Sequence, residues 1–332
     1  CWVLQRVARS TWYPISVAFL VFLLLAICSA PVGITLDIQL RSRTLRNRSI
    51  FPSTDKFVPL GYRVFSNGFV VPSGIGLSAG LSRADAAIAR VFRELEYVWF
   101  THDTESRPFA SDGFAEMDFR TVRGLFGNAE ALDDESFSAF SGSTAMRELM
   151  LQGSKVTDAG LQPLERMSKL FMLSLSETQI TGSGLRHLHP HAPLGQVWLN
   201  GTQLDDLGLD HLSNFSIGNL YLDRTNITGA SLGKFAPQEF MPAGKPFVAA
   251  GLNNLSMAHS KFDEKYIDLL PNTLSHLVID GIPLSERGIE KFACRFGGAT
   301  FGYLSMSESG LTDKAVRNLD GMVIKSLEID AT

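Results

Sequence analysis

The sequence has little cysteine and little charge. Its three cysteines, Cys1, Cys28 and Cys294, are scattered among 332 residues, and 19% of the residues are charged. Three distant thiols exclude a disulfide framework and a four-cysteine zinc site. The formal net charge of −4 provides no large basic surface and therefore argues against a nucleic-acid partner. With 45% hydrophobic residues, the chain can nevertheless bury a sizeable core.

Signatures of catalysis are also scarce. The run "GIGLSAG" (74–80) has glycines mis-spaced for a dinucleotide-binding loop, and no Lys-Ser/Thr pair follows it. The segment "HLHPH" places His187, His189 and His191 two residues apart, and three imidazoles are potential zinc ligands. We expect ordinary surface histidines there, because no Cys or carboxylate lies nearby in the sequence to complete the site. We expect Cys294 to be a core residue on a helix face.

The N-terminal segment lacks charge from Ser10 to Leu36. Its inner part, 12–34, is long enough to cross a bilayer, and arginines in the flank 1–11 precede it. This predicts a single-pass membrane anchor at 12–34. Two alternatives stay open: a signal peptide cleaved near "CSA", and a lipoprotein modified at Cys28. We predict a linker at 35–60 after the anchor, and this linker is also rich in arginine. Because arginines lie on both sides of the anchor, the sequence does not determine which side of the membrane the rest of the chain occupies.

Apolar residues recur with a long period through most of the chain. Taking the second Leu of each "LxL" core as reference, the intervals between units are 22 to 27 residues, except for one of 35 residues. The reference residues are Leu151, Leu175, Leu199, Leu222, Met257, Ile279, Met306 and Ile329. Such a period is typical of a solenoid in which each unit buries its apolar face against its neighbours.

The units follow the pattern L-x-x-L-x-L-x-x-(T/S)-x-(I/L/V)-(T/D/S). This pattern resembles the leucine-rich repeat family, most closely its ribonuclease-inhibitor-like and cysteine-containing subtypes. The combination with an N-terminal hydrophobic segment is similar to membrane-anchored bacterial repeat proteins of the planctomycete type. The resemblance implies an α/β solenoid, a curved horseshoe with parallel strands on its concave side and short helices on its convex side, preceded by a transmembrane helix.

Two polar columns support this interpretation of the unit. Three residues after the strand comes a short hydroxyl residue in all units but one, where Ile282 replaces it, and we expect these hydroxyls to bond to the turn. Three residues further on, every unit has a residue type that caps helix N-termini, and acidic residues follow it at the positive end of the helix dipole. These predicted caps are Asp133, Thr157, Thr181, Asp205, Thr228, Asp263, Ser285 and Thr312.

The domain organisation follows from the extent of the repeats. We predict a repeat domain at 122–332 and, at 61–121, an N-terminal cap with an irregular first repeat. The cap includes a helix at 81–95 and a strand in "EYVWF" (96–100). The 35-residue interval holds an insertion at 233–251 with three prolines, which we expect to form a protruding loop.

The candidate binding residues lie at the exposed strand positions three, five and seven, counting the first Leu of each unit as position one. None of these 24 positions holds Lys or Arg. Trp198 and Tyr221 occupy position five of neighbouring units, and aromatic residues of this kind dominate protein interfaces. The predicted partner-binding residues are Gln196, Trp198, Asn200, Asn219, Tyr221, Asp223, His276 and Tyr303.

These features predict a membrane-tethered, non-catalytic protein-interaction scaffold. Its partner would be a neutral or basic protein or peptide. We expect no nucleic-acid partner, because the exposed strand positions carry no positive charge to contact phosphate. We also expect no small-molecule cofactor. An alternative for the aromatic pair is packing under an inserted loop. The alternative function is a metal-dependent or lipid-modifying membrane-associated enzyme that uses His187, His189 and His191.

Overall fold

The computed structural model describes residues 57–64, 70–77, 96–100, 113, 117–127, 130, 132–235 and 251–330. It divides into two compact units, Cys1–Met117 and Asp118–Thr332. The predicted flank 1–11, anchor 12–34, most of the linker 35–60, helix 81–95 and most of the insertion 233–251 lie outside the described residues. Among the residues described, no helix is long and apolar enough to cross a membrane.

The first unit contains three described strands. β1 (Phe57–Val64) pairs antiparallel with β2 (Val70–Leu77), and β2 pairs in parallel with β3 (Tyr97–Phe100). The strand predicted in "EYVWF" is β3. The sequence did not predict the β1–β2 hairpin, whose first residues overlap the linker 35–60. Its register shifts around Pro59 and Gly61, and such irregular pairing obscures the alternation of apolar residues by which strands are recognised.

The second unit is a stack of short parallel strands, one from each repeat, and confirms the predicted solenoid. Successive strands pair in register, so that residues at equal positions of neighbouring repeats lie side by side. Its strands are β4 (Gly124–Gly127), β5 (Glu148–Met150), β6 (Met172–Ser174), β7 (Gln196–Trp198), β8 (Asn219–Tyr221), β9 (Asn254–Ser256), β10 (His276–Val278), β12 (Tyr303–Ser305) and β14 (Leu327–Glu328). A separate parallel pair joins β11 (Thr300–Phe301) to β13 (Val323–Ile324).

The return segments of the repeats are shorter than predicted. Four are α-helical: α1 (Asp134–Ser138), α2 (Asp206–Asp210), α3 (Glu286–Phe296) and α4 (Asp313–Arg317). A 3₁₀ segment, Ala139–Gly142, follows α1 in the same return, and the other returns have 3₁₀ segments at Asp158–Arg166, Ser183–His187, Leu232–Phe235 and Glu264–Leu269. The prediction of a capped α-helix in every unit is therefore wrong. Repeats of 22 to 24 residues leave room for about one turn, and the 11-residue α3 lies in the unit whose interval is 27 residues.

The predicted core positions are buried. In the unit from Leu170 to Leu188, the reference residue Leu175 and the Leu at the strand centre, Leu173, are both 0% exposed. Each such side chain contributes roughly 1.5–3 kcal/mol relative to an exposed one. Because the strands of the repeats are only two to four residues long, each repeat depends on stacking these side chains on those of the next repeat.

The hydroxyl column is confirmed. The hydroxyls of Thr178, Thr202 and Thr225 each donate to the carbonyl three residues earlier, at 2.6, 2.7 and 2.6 Å. All three side chains are buried, so these bonds satisfy polar groups that water cannot reach. Ile282 fills the same position as a fully buried apolar residue and makes no such bond.

The capping column is confirmed at five positions and wrong at three. Asp133, Asp205, Asp263, Ser285 and Thr312 each accept a hydrogen bond from a backbone N–H in the first turn. The three threonines that do not cap instead donate their hydroxyls to a carboxylate of the preceding repeat. These pairs are Thr157 with Asp134, Thr181 with Asp158, and Thr228 with Asp206.

These carboxylates, together with Glu264, form what we call the acidic clamp. Asp158 accepts from the backbone N–H groups of Thr181, Gly182 and Gly184 at 2.8, 3.1 and 2.7 Å, and from the Thr181 hydroxyl at 2.9 Å. Burial alone would raise the pKa of Asp158, but these hydrogen bonds outweigh it and hold the pKa below its usual value. Asp206 binds the next repeat through Thr228, Gly229 and Ser231 in the same way.

Position eight, at the turn after each strand, has a left-handed backbone. The residues there have φ between 53° and 70°, and their N–H groups donate to the position-seven carbonyl of the next repeat at 2.7 to 3.0 Å. They are Gly153, Glu177, Gly201, Arg224, His259, Gly281 and Glu308. Glycine adopts this conformation without strain, so the four other residues are held in it by the ladder itself.

We expect Asp158→Ala to lower the free energy of unfolding by about 2 kcal/mol, because three backbone donors lose a charged acceptor. The measurement is urea denaturation followed by circular dichroism. Asp313→Ala is the matched control: Asp313 has the same position in its repeat without a cross-repeat bond among the described residues, and a change of about 0.5 kcal/mol is expected. Equal effects of the two substitutions would contradict the acidic clamp.

The pH dependence of this contribution has a definite sign. The folded-state pKa of Asp158 lies below its unfolded value of about 3.9, so its stabilisation is complete above that value. It is lost as the pH falls through the folded pKa. The stability difference between the wild type and Asp158→Ala should therefore be constant near neutral pH and shrink below pH of about 4.

Candidate functional site

Trp198 and Tyr221 form a stacked aromatic pair on the exposed side of the strands. We call the side made by positions three, five and seven the strand face. The two residues are register partners on β7 and β8; their ring centroids lie 5.5 Å apart and their planes differ by 1°. Both are half-buried. In-register pairing sets this geometry, because it places position-five side chains one strand spacing apart.

Small residues flank this pair on both sides. Ser174 is the register partner of Trp198 on β6, and Ser256 is the register partner of Tyr221 on β9. Both serines are buried, at 5% and 7% exposure. The rings therefore rise above their neighbours along the position-five row, and their outer faces adjoin space that larger side chains would fill.

The amide residues beside the pair occupy position three. Gln196, Asn219 and Asn254 are successive register partners and are all half-buried. The Asn254 Nδ2 group donates to Asn219 Oδ1 at 2.8 Å. The pair is thus bordered on one side by uncharged groups that can donate and accept hydrogen bonds.

Asn200 and Asp223, at position seven, make hydrogen bonds between repeats. Asn200 Oδ1 accepts from the Asp223 N–H at 2.9 Å, and Asp223 Oδ1 accepts from the Ala258 N–H at 2.9 Å. The same bond joins Asp280 to the Ser307 N–H at 2.7 Å. These two predicted binding residues therefore have a structural role that the sequence did not indicate.

His276 and Tyr303 lie apart from the aromatic pair. They are register partners on β10 and β12, and β9 separates them from Tyr221. His276 is exposed, and its Nδ1 is 2.8 Å from the Ser275 hydroxyl. The Tyr303 hydroxyl donates to Glu328 at 2.6 Å, and this bond to a carboxylate raises the pKa of Tyr303. The eight predicted residues thus share one face in two groups.

An ion pair between Glu177 and Arg224 borders the strand face and was missed from the sequence. Both side chains are exposed, and both residues are at position eight, two repeats apart. Glu177 reaches Arg224 across Gly201, where an added Cβ would lie 2.5 Å from the Glu177 carboxylate. The alternation of glycine and long charged residues at position eight is the sequence signal for this arrangement.

The three histidines of the segment have different partners. His187 Nδ1 lies 2.6 Å from Glu165 Oε1, which corrects the expectation that no carboxylate is near, since Glu165 comes from the preceding repeat. His189 and His191 pack ring against ring with centroids 5.7 Å apart. In the part of the chain that the structure describes, no group of three His, Cys, Asp or Glu residues could hold a metal ion. Cys294 is an exposed free thiol on α3, not a core residue.

The second unit has the architecture of a leucine-rich repeat solenoid: in-register parallel strands, one per repeat, joined through buried leucines and short return segments. No protein-family model and no curated protein sequence matches the chain. Similar solved structures include an internalin from Listeria monocytogenes, with 14% identity over 90% of this chain and 96% of that chain and a TM-score of 0.49.

Two further structures show more distant similarity. The TLR13 chain of a TLR13-ssRNA13 complex is 14% identical over 73% of this chain and 34% of that chain, with a TM-score of 0.44. The mouse RP105/MD-1 complex gives 11% identity over 76% of this chain and 53% of that chain, with a TM-score of 0.35. This chain therefore spans about a third of the TLR13 chain and about half of the chain matched in the mouse complex.

We expect Asp223→Ala to lower the free energy of unfolding by about 2 kcal/mol, because it leaves the Ala258 N–H without its charged acceptor. Gln196→Ala, at the half-buried position-three site beside Trp198, should change it by about 0.5 kcal/mol or less. Chemical denaturation of both variants distinguishes the two roles. If Asp223→Ala is as stable as Gln196→Ala, the position-seven bonds do not support the ladder.

Proposed function

We propose that the repeat unit is a non-catalytic scaffold that binds a polypeptide on its strand face. The observation that carries the proposal is the stacked, half-exposed pair of Trp198 and Tyr221. Trp and Tyr bury a large area at a small cost in side-chain entropy, and they dominate the binding energy of protein interfaces. Stacking fixes both rings before a partner arrives, which lowers that cost further.

The charge of the strand face supports a neutral or basic polypeptide as partner. Acidic residues occupy several of its positions, including Glu148, Asp280 and Glu328, whereas Lys and Arg occupy none. Nucleic-acid affinity depends mostly on contacts between cations and phosphates. Arg224, an exposed cation at the border of this face, is paired with Glu177. A phosphate backbone would therefore meet net repulsion along these strands.

The hydrogen-bonded ladder supports the same role. Backbone bonds, the position-seven side chains and the acidic clamp all join one repeat to the next, so the rows of exposed residues keep fixed spacings. A rigid row of this kind suits an extended or folded polypeptide surface that contacts several repeats at once.

We further propose that the segment 12–34 tethers the scaffold to a membrane. This part of the proposal depends on the sequence: its length, its lack of charge and the arginines before it. The resemblance to membrane-anchored bacterial repeat proteins supports it. A tethered scaffold would meet partners that are held at the same membrane.

We expect the double variant Trp198→Ala/Tyr221→Ala to lose partner binding, because removing two central aromatics costs at least about 2 kcal/mol, or about 30-fold in affinity. Crosslinking followed by mass spectrometry in the native membrane measures the loss. The control is Leu207→Ala, which removes a 76% exposed apolar side chain from α2, away from the strands. Unchanged crosslinks in the double variant, with wild-type thermal stability, would refute the proposed site.

We expect the full chain to remain in the membrane fraction after extraction with alkaline carbonate, because a spanning helix resists removal of peripheral contacts. A variant with Leu20→Arg and Leu24→Arg should move to the soluble fraction, since charges at the centre of a span oppose insertion. Replacing two arginines of the linker, Arg41 and Arg43, by Ser provides a control outside the span. Extraction of the wild-type chain would contradict the anchor.

A further inference from the structure

A slot beside Trp198 forms a separate feature of the strand face. Met150, Ser174 and Trp198 are successive register partners at position five on β5, β6 and β7. Neighbouring strands lie about 4.8 Å apart, so Met150 and Trp198 are separated by about 10 Å, with only a serine between them. The resulting depression has a volume of about 260 Å³. We call it the indole slot.

The indole ring makes one wall of this slot. One face of Trp198 is covered by the Tyr221 ring, whereas the slot lies on the Ser174 side and is not lined by Tyr221. Met150 bounds the opposite end with a flexible thioether side chain. A group that enters the slot can therefore lie flat on the free face of the indole, which favours a planar or cationic group.

The rest of the slot is polar and rich in hydrogen-bond acceptors. Gln152, Ser176, Glu177, Asn200 and Arg224 complete its lining. The Ser176 hydroxyl is the unusual group: the residue is only 5% exposed, and its Oγ has no hydrogen-bond partner among the described residues. Because this oxygen is itself buried, the acceptors open to a ligand in the slot are those of Glu177 and Gln152.

We propose that the indole slot binds the guanidinium group of an arginine side chain of the polypeptide partner; this proposal rests on the proposed function of the strand face. The guanidinium is planar and always charged, so it can stack on the free face of Trp198. Its five N–H donors match the acceptors of Glu177 and Gln152. Among positions three, five and seven no Lys or Arg repels it, and the one cation in the lining, Arg224, is paired with Glu177.

Arg224 competes with this ligand inside the chain. Its ion pair with Glu177 is 61% exposed on the arginine side and 46% on the glutamate side. An exposed ion pair stabilises a protein little, so an arriving arginine can displace Arg224 at small cost. Binding therefore exchanges one guanidinium for another at Glu177, and adds stacking on Trp198 that Arg224 does not provide.

Other side chains fit the slot less well. A lysine ammonium is compact and strongly hydrated, and it cannot lie flat against the indole or form paired bonds with a carboxylate. A phenylalanine ring can stack on Trp198 but leaves the carboxylate of Glu177 without a new partner. A ligand carboxylate would have to pair with Arg224. Substitution of Arg224 would then weaken binding of the carboxylate, whereas it should strengthen binding of a guanidinium.

The test titrates the full chain in detergent micelles with four defined probes: the N-acetyl amides of arginine, lysine, phenylalanine and glutamate. Ligand-observed NMR measures each dissociation constant. We expect the arginine probe to bind in the millimolar range and more tightly than the other three. Trp198→Ala should abolish its binding, and Glu177→Gln should weaken it about tenfold.

Arg224→Ala provides the decisive variant, because it should tighten binding of the arginine probe several-fold by freeing Glu177. A gain of affinity cannot result from misfolding, and thermal denaturation by circular dichroism checks the folding of all variants. The proposal is overturned if Arg224→Ala weakens binding of the arginine probe, if the phenylalanine or glutamate probe binds as well as arginine, or if no probe binds.

The outcomes for the slot and for the proposed function are distinguishable. The titration with the probes does not require the partner, and the crosslinking experiment does not depend on what the slot binds. Crosslinks that depend on Trp198 and Tyr221, with no binding of the arginine probe, leave the scaffold in place and refute the slot. Binding of the arginine probe, with crosslinks that do not respond to the double substitution, would show that the slot recognises arginine, but it would refute both the partner site at the aromatic pair and the partner as the source of that arginine.

Discussion

Each repeat leaves backbone hydrogen-bonding groups that the neighbouring repeat satisfies. The position-eight N–H donates to the next strand's end in every repeat of the ladder. In four repeats the position-seven side chain, Asn200, Asp223, Asp280 or Ser307, accepts from the next turn, and in four the acidic clamp binds the start of the next return segment. An unpaired polar group in this interior would cost free energy comparable to a lost hydrogen bond. Stability is therefore a property of the interface between repeats rather than of any one repeat.

The side chains that bond between repeats are not free to vary, and this determines which residues are available for binding. Position seven maintains the ladder, so Asn200 and Asp223 cannot change without a loss of stability that binding assays would record as well. Position five makes no backbone bond with its side chains, and it is there that the chain places Trp198, Tyr221 and, between large neighbours, Ser174. Shape on the strand face is thus set by the choice of large or small residues in a row whose spacing is constant.

The sequence predicts those parts of the structure that depend on one repeat at a time. The buried leucines, the hydroxyls of Thr178 and its equivalents, and the adjacency of Trp198 and Tyr221 all follow from spacing within a unit and from in-register stacking. Features that join different repeats were missed. The bond from Thr181 to Asp158 spans 23 residues and the Glu177–Arg224 pair spans 47, so neither is visible in any local pattern. The β1–β2 hairpin escaped because its register shifts.

The strand ladder continues without change of register across the longest interval between repeats. Leu222 N–H donates to the Ser256 carbonyl and Arg224 N–H to the Ala258 carbonyl, both at 2.8 Å, although 35 residues separate the two reference leucines there instead of 22 to 27. The bonding between β8 and β9 is therefore independent of the length of chain that connects them. A solenoid of this kind can acquire new sequence between two repeats while the strands on either side keep their bonds, so natural evolution and protein engineering can both use that interval.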